Sequence, residues 1–231
     1  MSADGLAGFV AGLDSSWRGL SLTMPLKEAV LELGDVDPVA RLAGAGNTLI
    51  LGGRRQVYNT DVAGLAWAVR RMTSGPVPRV TILGSGATAR SAVVALTSLA
   101  AEVVTVVARN RAKADFLAAL GSELGLRMHV EPWGSVLPPA DLVVSAATAG
   151  VADPIADQVA ATAPVVFDIV YAPWPTPLAE AAAEAGRTVI GGLDLLVGQA
   201  LRQIELMTGR SVPAEVLYAA LPESRGSLPG T

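Results

Sequence analysis

The sequence predicts an α/β protein in which a doubly wound parallel sheet is accompanied by a second, smaller α/β unit. Residues 79–190 alternate short β-branched runs with helical apolar patterns, which is typical of parallel strands covered by helices on both faces. The segment Ser74-Gly-Pro-Val-Pro78 interrupts helix and strand alike and predicts a linker. We therefore expect one unit over 1–73, a second over 79–190, and C-terminal helices over 191–231 that fold back onto the first.

The N-terminal unit is predicted to consist of short elements followed by one long helix. The pattern indicates strands over 19–24, 48–51 and 56–59, and helices over 27–33 and 61–72. The second unit repeats strand and helix, with predicted strands over 79–83, 103–108, 127–131, 141–145 and 165–170 and helices over 89–101, 112–124 and 176–185. Two further helices are expected over 193–207 and 213–221.

Composition excludes several classes of protein. Of 231 residues, 51% are hydrophobic and 16% are charged, as in an ordinary globular protein, and the net charge of −4 without a basic run predicts no nucleic-acid partner. Cysteine is absent and His129 is the only histidine, so neither thiolate nor multi-histidine metal chemistry is expected, and we predict no metal. With no apolar run of membrane-spanning length and no signal peptide, we expect a cytoplasmic protein that contacts no membrane.

A glycine-rich turn follows the first strand of the second unit. Gly84-Ser85-Gly86-Ala87-Thr88-Ala89 places Gly-x-Gly-x-x-Ala between a strand and a helix, the context of a Rossmann-type dinucleotide site. The glycines allow a tight turn and close approach of the backbone to a pyrophosphate, which would lie on the helix N-terminus. The alternative is a tight turn that binds no ligand.

The end of the next strand indicates which dinucleotide binds. An NAD-preferring domain places an acidic residue about twenty positions after the glycines, whereas this chain has Arg109-Asn110-Arg111 there. Guanidinium groups suit a 2′-phosphate, so we predict NADP as the cofactor and assign Arg109 and Asn110 to its site. The alternative is that both arginines are solvated residues at the start of a helix.

Candidate chemistry precedes the glycine turn. Lys27 and Asp61 stand at element ends, where side chains face a cleft, and a lysine–aspartate pair suits proton transfer at an alcohol or ketone carbon. On the residues alone, an exposed lysine and a helix-capping aspartate explain the pattern equally well.

Several segments in order resemble the shikimate dehydrogenase family. Ser21-Leu-Thr-Met-Pro-Leu-Lys27, Gly46-Asn-Thr48 and Asn59-Thr-Asp61 resemble its substrate motifs in the N-terminal half. Val143 to Gly150, Asp168 to Pro173 and Gly192 to Gln199 resemble its later motifs, and the likeness covers essentially the whole chain.

The resemblance implies NADPH-dependent, reversible reduction of 3-dehydroshikimate to shikimate. By resemblance, Lys27 is the catalytic acid/base and Asp61 its partner, while the substrate contacts are Thr23, Asn47, Tyr171 and Gln199. It also implies that Ile169 and Gly192 line the nicotinamide. A quinate/shikimate dehydrogenase and a non-catalytic dinucleotide-binding relative are the alternatives. The partners expected are therefore a small-molecule substrate and NADP, and a homodimer is compatible with the sequence.

The family also has an N-terminal strand–helix–strand unit whose S-x-S motif binds the substrate carboxylate, and residues 1–18 do not match it. Three explanations are open: the true start lies upstream of Met1, the sequence is a fragment, or the protein is a relative with altered function. We expect one of the first two, because the other site residues are intact.

Overall fold

The computed structural model describes residues 1–221, which form two sheets and the helices around them. The larger sheet has six parallel strands in the order β10-β9-β8-β5-β6-β7. Their bounds are β5 Arg79–Leu83, β6 Val103–Ala108, β7 Arg127–Pro132, β8 Leu142–Ser145, β9 Val165–Asp168 and β10 Thr188–Ile190. The order reverses between β5 and β8, which is the switch point where open α/β sheets bind ligands.

Alternation of side chains divides the large sheet into two buried faces. Val80 and Ile82 face one apolar cluster, whereas Leu83, Val107 and Val143 face another on the opposite side. Both faces of the central strands are covered, so β5, β6 and β8 are mostly apolar, whereas the edge strand β7 alternates exposed and partly buried residues.

The smaller sheet has four short strands in the order β1-β3-β4-β2. They are β1 Gly19–Ser21, β2 Asp35–Val36, β3 Thr48–Ile50 and β4 Gln56–Tyr58. β3 pairs antiparallel with both β1 and β4, and β2 pairs parallel with β4. This sheet buries its own apolar cluster, which includes Leu6, Val30 and Leu49.

Ten α-helices complete the described chain. They are α1 Leu6–Ala11, α2 Leu26–Ala29, α3 Pro38–Ala43, α4 Thr60–Met72, α5 Ala87–Leu96, α6 Arg111–Glu123, α7 Ala156–Thr162, α8 Pro177–Glu184, α9 Gly192–Thr208 and α10 Ala214–Ala219. None of the helices within residues 1–221 is long and apolar enough to cross a membrane.

Helix α9 returns from the large sheet to pack against α4. Glycines face each other at the crossing: a Cβ on Gly64 would lie 2.7 Å from the Gln199 nitrogen, and one on Gly198 would lie 2.8 Å from the Gly64 oxygen. The missing side chains let the two backbones approach closely. Residues from positions more than a hundred apart in sequence therefore meet beside β3.

The predicted α/β architecture is confirmed, with a large parallel sheet and a smaller mixed one. Element bounds differ in places: the strand predicted over 19–24 ends at Ser21, and the helix predicted over 89–101 begins at Ala87 and gives way to a 3₁₀ turn at Thr97. The sequence did not predict β2, α3, α7 or β10. Residues 222–231 of the expected C-terminal segment lie outside the described residues.

Candidate active site

Lys27 and Asp61 form an ion pair at the junction of the two sheets. Lys27 Nζ donates to Asp61 Oδ2 at 2.6 Å, and the two side chains are only 14% and 3% exposed. The helix cap of α4 is Asn59, whose Oδ1 accepts from the Val62 nitrogen, so the Asp61 carboxylate is available for this pair. The Lys27 side chain is therefore held in place by the buried Asp61 carboxylate and does not extend into solvent.

Asn47 connects this pair to the rest of the site. Its side chain is fully buried, and its Nδ2 donates to Asp61 Oδ1 at 3.0 Å and to Gln199 Oε1 at 2.6 Å. Its Oδ1 accepts from the Thr60 nitrogen at 2.8 Å and from two hydroxyls, those of Thr48 and Thr60. Both amide hydrogens have partners, so Asn47 fixes where Asp61 and Gln199 lie.

Gln203, which the sequence interpretation missed, anchors α9 one turn after Gln199. Its Nε2 lies 3.0 Å from Thr48 Oγ1 and 3.1 Å from Ser21 Oγ, and its side chain is nearly buried. The two glutamines are four residues apart and so lie on the same helix face. The spacing of four residues was the one signal in the sequence that could have identified Gln203. Its partners, Ser21 and Thr48, are too distant in sequence to form a local pattern with it.

Helix α5, which follows the glycine turn, is joined to the N-terminal half by side chains from three positions. Lys27 Nζ lies 3.5 Å from Thr88 Oγ1, and Asn59 Nδ2 donates to Ser91 Oγ at 3.0 Å. Arg90 Nε donates to the Ala43 oxygen at 2.8 Å, and its Nη2 pairs with Glu28 at 2.6 Å. The lysine and the glycine turn are therefore held in one cluster.

The glycine turn has the geometry that a pyrophosphate requires. Gly84 has φ +107°, and a Cβ there would lie 2.9 Å from the Ala146 oxygen, so the position favours glycine. Gly86 is the N-cap of α5 and supplies no side-chain cap, which leaves the first-turn amides of Ala87 and Thr88 open for an anion. Together with Ser85, these residues fit the dinucleotide predicted for them.

At the end of β6, the two arginines differ in their surroundings. Arg111 Nε is paired with Asp115 Oδ1 at 2.8 Å, whereas Arg109 is exposed and forms no ion pair within the described chain. Asn110 caps α6 by accepting from the Lys113 nitrogen at 3.0 Å. Arg109 is therefore the guanidinium of the two that is available to a 2′-phosphate.

The residues predicted to line the nicotinamide lie together at the ends of β9 and β10. The Gly192 nitrogen donates to the Val170 oxygen at 3.3 Å, and the Ile169 nitrogen donates to the Ser145 oxygen at 3.2 Å. Beside them, Asp168 accepts from Thr176 Oγ1 at 2.7 Å, and burial raises the pKa of the Asp168 carboxyl. This buried network sets the path of the backbone that leads to Tyr171.

Two of the predicted substrate residues are on the surface. Thr23 is exposed, and its carbonyl accepts from the Leu26 nitrogen at 2.8 Å, which turns the chain into α2. The Tyr171 side chain is 46% exposed. Within residues 1–221, no group of three His, Asp or Glu side chains could hold a metal ion.

The fold and site define the class as NADP-dependent oxidoreductases that act on a CH–OH group. Residues 1–49 match the shikimate dehydrogenase substrate binding domain, and residues 192–221 match the shikimate 5'-dehydrogenase C-terminal domain. A shikimate dehydrogenase (NADP(+)) from Caulobacter vibrioides is 35% identical over 221 residues, which cover 91% of this chain and 78% of that relative. The chain belongs to the shikimate dehydrogenase family.

Solved structures agree with this membership. Shikimate dehydrogenase from Mycobacterium tuberculosis is 38% identical with a TM-score of 0.89, over 96% of this chain and 85% of the other. The enzyme from Thermus thermophilus, determined in complex with NADP(H) and shikimate, is 30% identical with a TM-score of 0.79, over 95% and 84%. The 5-ketofructose reductase of a Gluconobacter strain is 31% identical with a TM-score of 0.83, over 95% and 83%.

Proposed function

We propose that this chain catalyses the reversible, NADP-dependent oxidation of shikimate to 3-dehydroshikimate, with Lys27 as the acid/base. The observation that carries the proposal is the buried Lys27–Asp61 pair, 2.6 Å apart, beside the glycine turn. Family membership supplies the substrate class, and the pair supplies a group able to accept the proton of an alcohol.

In the oxidative direction, neutral Lys27 accepts the substrate hydroxyl proton while the carbinol carbon gives up a hydride. Asp61 stabilises the ammonium that results, and Asn47 keeps the carboxylate oriented by donating to its second oxygen. When bound, NADP supplies the hydride acceptor. In the reductive direction, Lys27 returns the proton to the carbonyl oxygen. Exclusion of water by cleft closure would protect both transfers.

The substrate is held by hydrogen bonds that replace bonds present in the free protein. The Asn47–Gln199 bond of 2.6 Å is one that a ring hydroxyl can exchange, since a hydroxyl both donates and accepts. We assign Thr23 and Tyr171 to the same ligand, because both are exposed and accessible to it. Their hydroxyls would contact the remaining hydroxyl or carboxylate groups.

The residues proposed to hold the cofactor form a continuous path. Gly84, Ser85, Gly86, Ala87 and Thr88 would hold the pyrophosphate, and Ile169 and Gly192 would lie against the nicotinamide. Arg109 would contact the 2′-phosphate and Asn110 the adjacent ribose, although the Asn110 side chain also caps α6. We further propose that residues 1–73 and the C-terminal helices form the substrate domain and residues 79–190 the cofactor domain.

The test is a spectrophotometric assay of shikimate oxidation with NADP, with quinate and NAD as alternative substrate and cofactor. The chain is assayed as it stands and extended upstream in its reading frame. NADP reduction with shikimate is the expected result, and faster turnover of quinate with NAD would favour a quinate/shikimate dehydrogenase. If both forms bind NADP and neither oxidises shikimate or quinate, the enzymatic proposal is wrong and a binding module remains.

A homodimer and a cytoplasmic location remain predictions, which light scattering and cell fractionation would test.

A further inference from the structure

The Lys27 ammonium has a second neighbour besides Asp61, and that neighbour belongs to the cofactor turn. Thr88 Oγ1 lies 3.5 Å from Lys27 Nζ, at the long end of a hydrogen bond. Contacts of this kind are often long in the free enzyme and shorten when the ligands bind. Thr88 is the second residue of α5, so it approaches the lysine from the side on which the cofactor would lie.

The number of hydrogens on the Lys27 amine determines how the contact with Thr88 would orient its lone pair. A charged lysine carries three N–H groups, but the neutral amine that accepts a proton carries two N–H groups and one lone pair. Asp61 Oδ2 and Thr88 Oγ1 are two acceptors for those two hydrogens. When both bonds form, rotation about the Cε–Nζ bond stops and the lone pair has one direction left, away from both acceptors.

The backbone on each side of the contact is held in place. Glu28, adjacent to Lys27, pairs with Arg90 of α5 at 2.6 Å, and Arg90 also donates to the Ala43 and Gly44 carbonyls. Asn59 donates to Ser91, the next residue of α5. Two independent attachments therefore hold the backbone of α5 against the N-terminal half beside Thr88, so a small movement of the lysine side chain is enough to shorten the contact.

We propose that Thr88 is a positioning residue for the proton-transfer step, accepting a hydrogen bond from Lys27 so that the amine lone pair faces the substrate hydroxyl. The proposal rests on the proposed function. The substrate O–H bond breaks and its proton forms a third N–H bond on Lys27, while the carbinol C–H electron pair leaves as hydride to NADP. The carbonyl forms from the remaining O–H electron pair.

The decisive variants are Thr88→Val, which keeps the branched shape without the hydroxyl, and Thr88→Ser, which keeps the hydroxyl. We expect Thr88→Val to lower kcat by roughly 10- to 100-fold, a part of what acid–base catalysis contributes. The KM for shikimate and the Kd for NADP, measured by calorimetry, should stay within about twofold, because Thr88 would hold the pyrophosphate through its backbone amide, which Thr88→Val retains. Thr88→Ser should recover kcat to within about threefold, and the solvent deuterium isotope effect on kcat should rise in Thr88→Val.

Thr97→Val, at the C-cap of the same helix, is the matched control. Among the partners that residues 1–221 offer, the Thr97 hydroxyl bonds only the Val94 carbonyl, so its removal should leave kcat unchanged. A Thr88→Val enzyme with wild-type kcat would overturn the proposal, as would a loss that appears in NADP affinity and not in kcat. A wild-type protein that is inactive both as it stands and when extended upstream would instead contradict the proposed function, so the two failures are distinguishable.

Discussion

The two ends of the proposed NADP site are built in different ways. At the reacting end, Lys27, Asp61, Asn47 and Gln199 form a continuous chain of hydrogen bonds, and Asn47 and Asp61 are almost fully buried. At the adenosine end, Arg109 is exposed and has no ion-pair partner among residues 1–221. One end is assembled before any ligand arrives, and the other is completed by the ligand.

This difference predicts that substitutions at the two ends have different effects on the enzyme. Groups that act in the transition state must be fixed in advance, because reorganisation during the reaction raises the barrier. A solvated arginine needs no such order, since it contributes affinity for the 2′-phosphate only once the phosphate is present. Substitutions at the first end should therefore change turnover, and substitutions at the second should change binding.

The largest effect is expected at Lys27. Lys27→Ala should lower kcat by about 1000-fold while the Kd for NADP stays within about twofold, because acid–base catalysis is removed and the cofactor site is intact. Lys27→Arg is the matched variant: it retains the positive charge beside Asp61, yet it cannot release a proton at neutral pH. Steady-state kinetics and calorimetry measure both quantities. Equal losses of turnover and NADP affinity would show that Lys27 is structural.

The second prediction concerns Arg109, at the adenosine end of the proposed NADP site. Arg109→Ala should weaken NADP binding by roughly 10- to 100-fold and leave NAD binding nearly unchanged, since a charge-assisted pair to phosphate is lost. Arg111→Ala should have a much smaller effect because its guanidinium is already paired with Asp115. Titration of both cofactors with each variant measures the effect. If Arg111→Ala proves the more harmful, the assignment of the 2′-phosphate to Arg109 is wrong.

A third prediction tests whether the close packing of α4 against α9 maintains the reacting end of the site. Gly64→Ala should destabilise the fold by about 1–3 kcal/mol and raise the KM for shikimate, because the new Cβ would collide with the backbone at Gln199. Gly8→Ala is the control, since a Cβ there meets nothing within 4 Å and should add up to about 1 kcal/mol of helix stability. Urea denaturation of both variants gives the comparison. A stabilised Gly64→Ala would contradict the close contact.

The smallest effect is expected far from both ends, at the start of the large sheet. Hydrogen bonding from Arg79, which donates to Asp141 from its Nε and Nη2, lowers the pKa of the Asp141 carboxyl. The lowered pKa means that the pair stabilises the folded protein at neutral pH, and the stabilisation is lost as pH falls through the folded-state pKa. Asp141→Asn should cost up to about 1 kcal/mol at pH 7 and nothing in strong acid, with kcat unchanged. A pH series of urea midpoints tests this, and a pH-independent loss would contradict it.

The sequence predicted the long elements of the large sheet because their apolar periodicity is strong. β2, α3, α7 and β10 escaped prediction because they have two to seven residues, too few for a period to emerge. The α/β class, the family, the cofactor and the enzyme class are confirmed by the fold and by the relatives.

The sequence indicated individual candidate residues of the site more readily than the hydrogen bonds that join them. The roles given to Lys27, Asp61 and the binding residues remain predictions, although the structure brings Lys27, Asp61, Asn47 and Gln199 into contact. Gln203 and Arg90 were missed, because each contacts partners that are distant in sequence and neither has a local signature. Local patterns indicate which residues could act, whereas tertiary contacts determine which of them are fixed in position.

The hydrogen bond between Asn47 and Gln199 has a consequence for biosynthesis of the chain. Its two residues are 152 positions apart, and the large sheet lies between them in sequence. During translation the Lys27–Asp61 pair and the large sheet can form from residues that have already left the ribosome, whereas the bond from Asn47 to Gln199 must wait for α9. The contact proposed to bind substrate is therefore among the last parts of the molecule to be completed, after the groups proposed to move the proton.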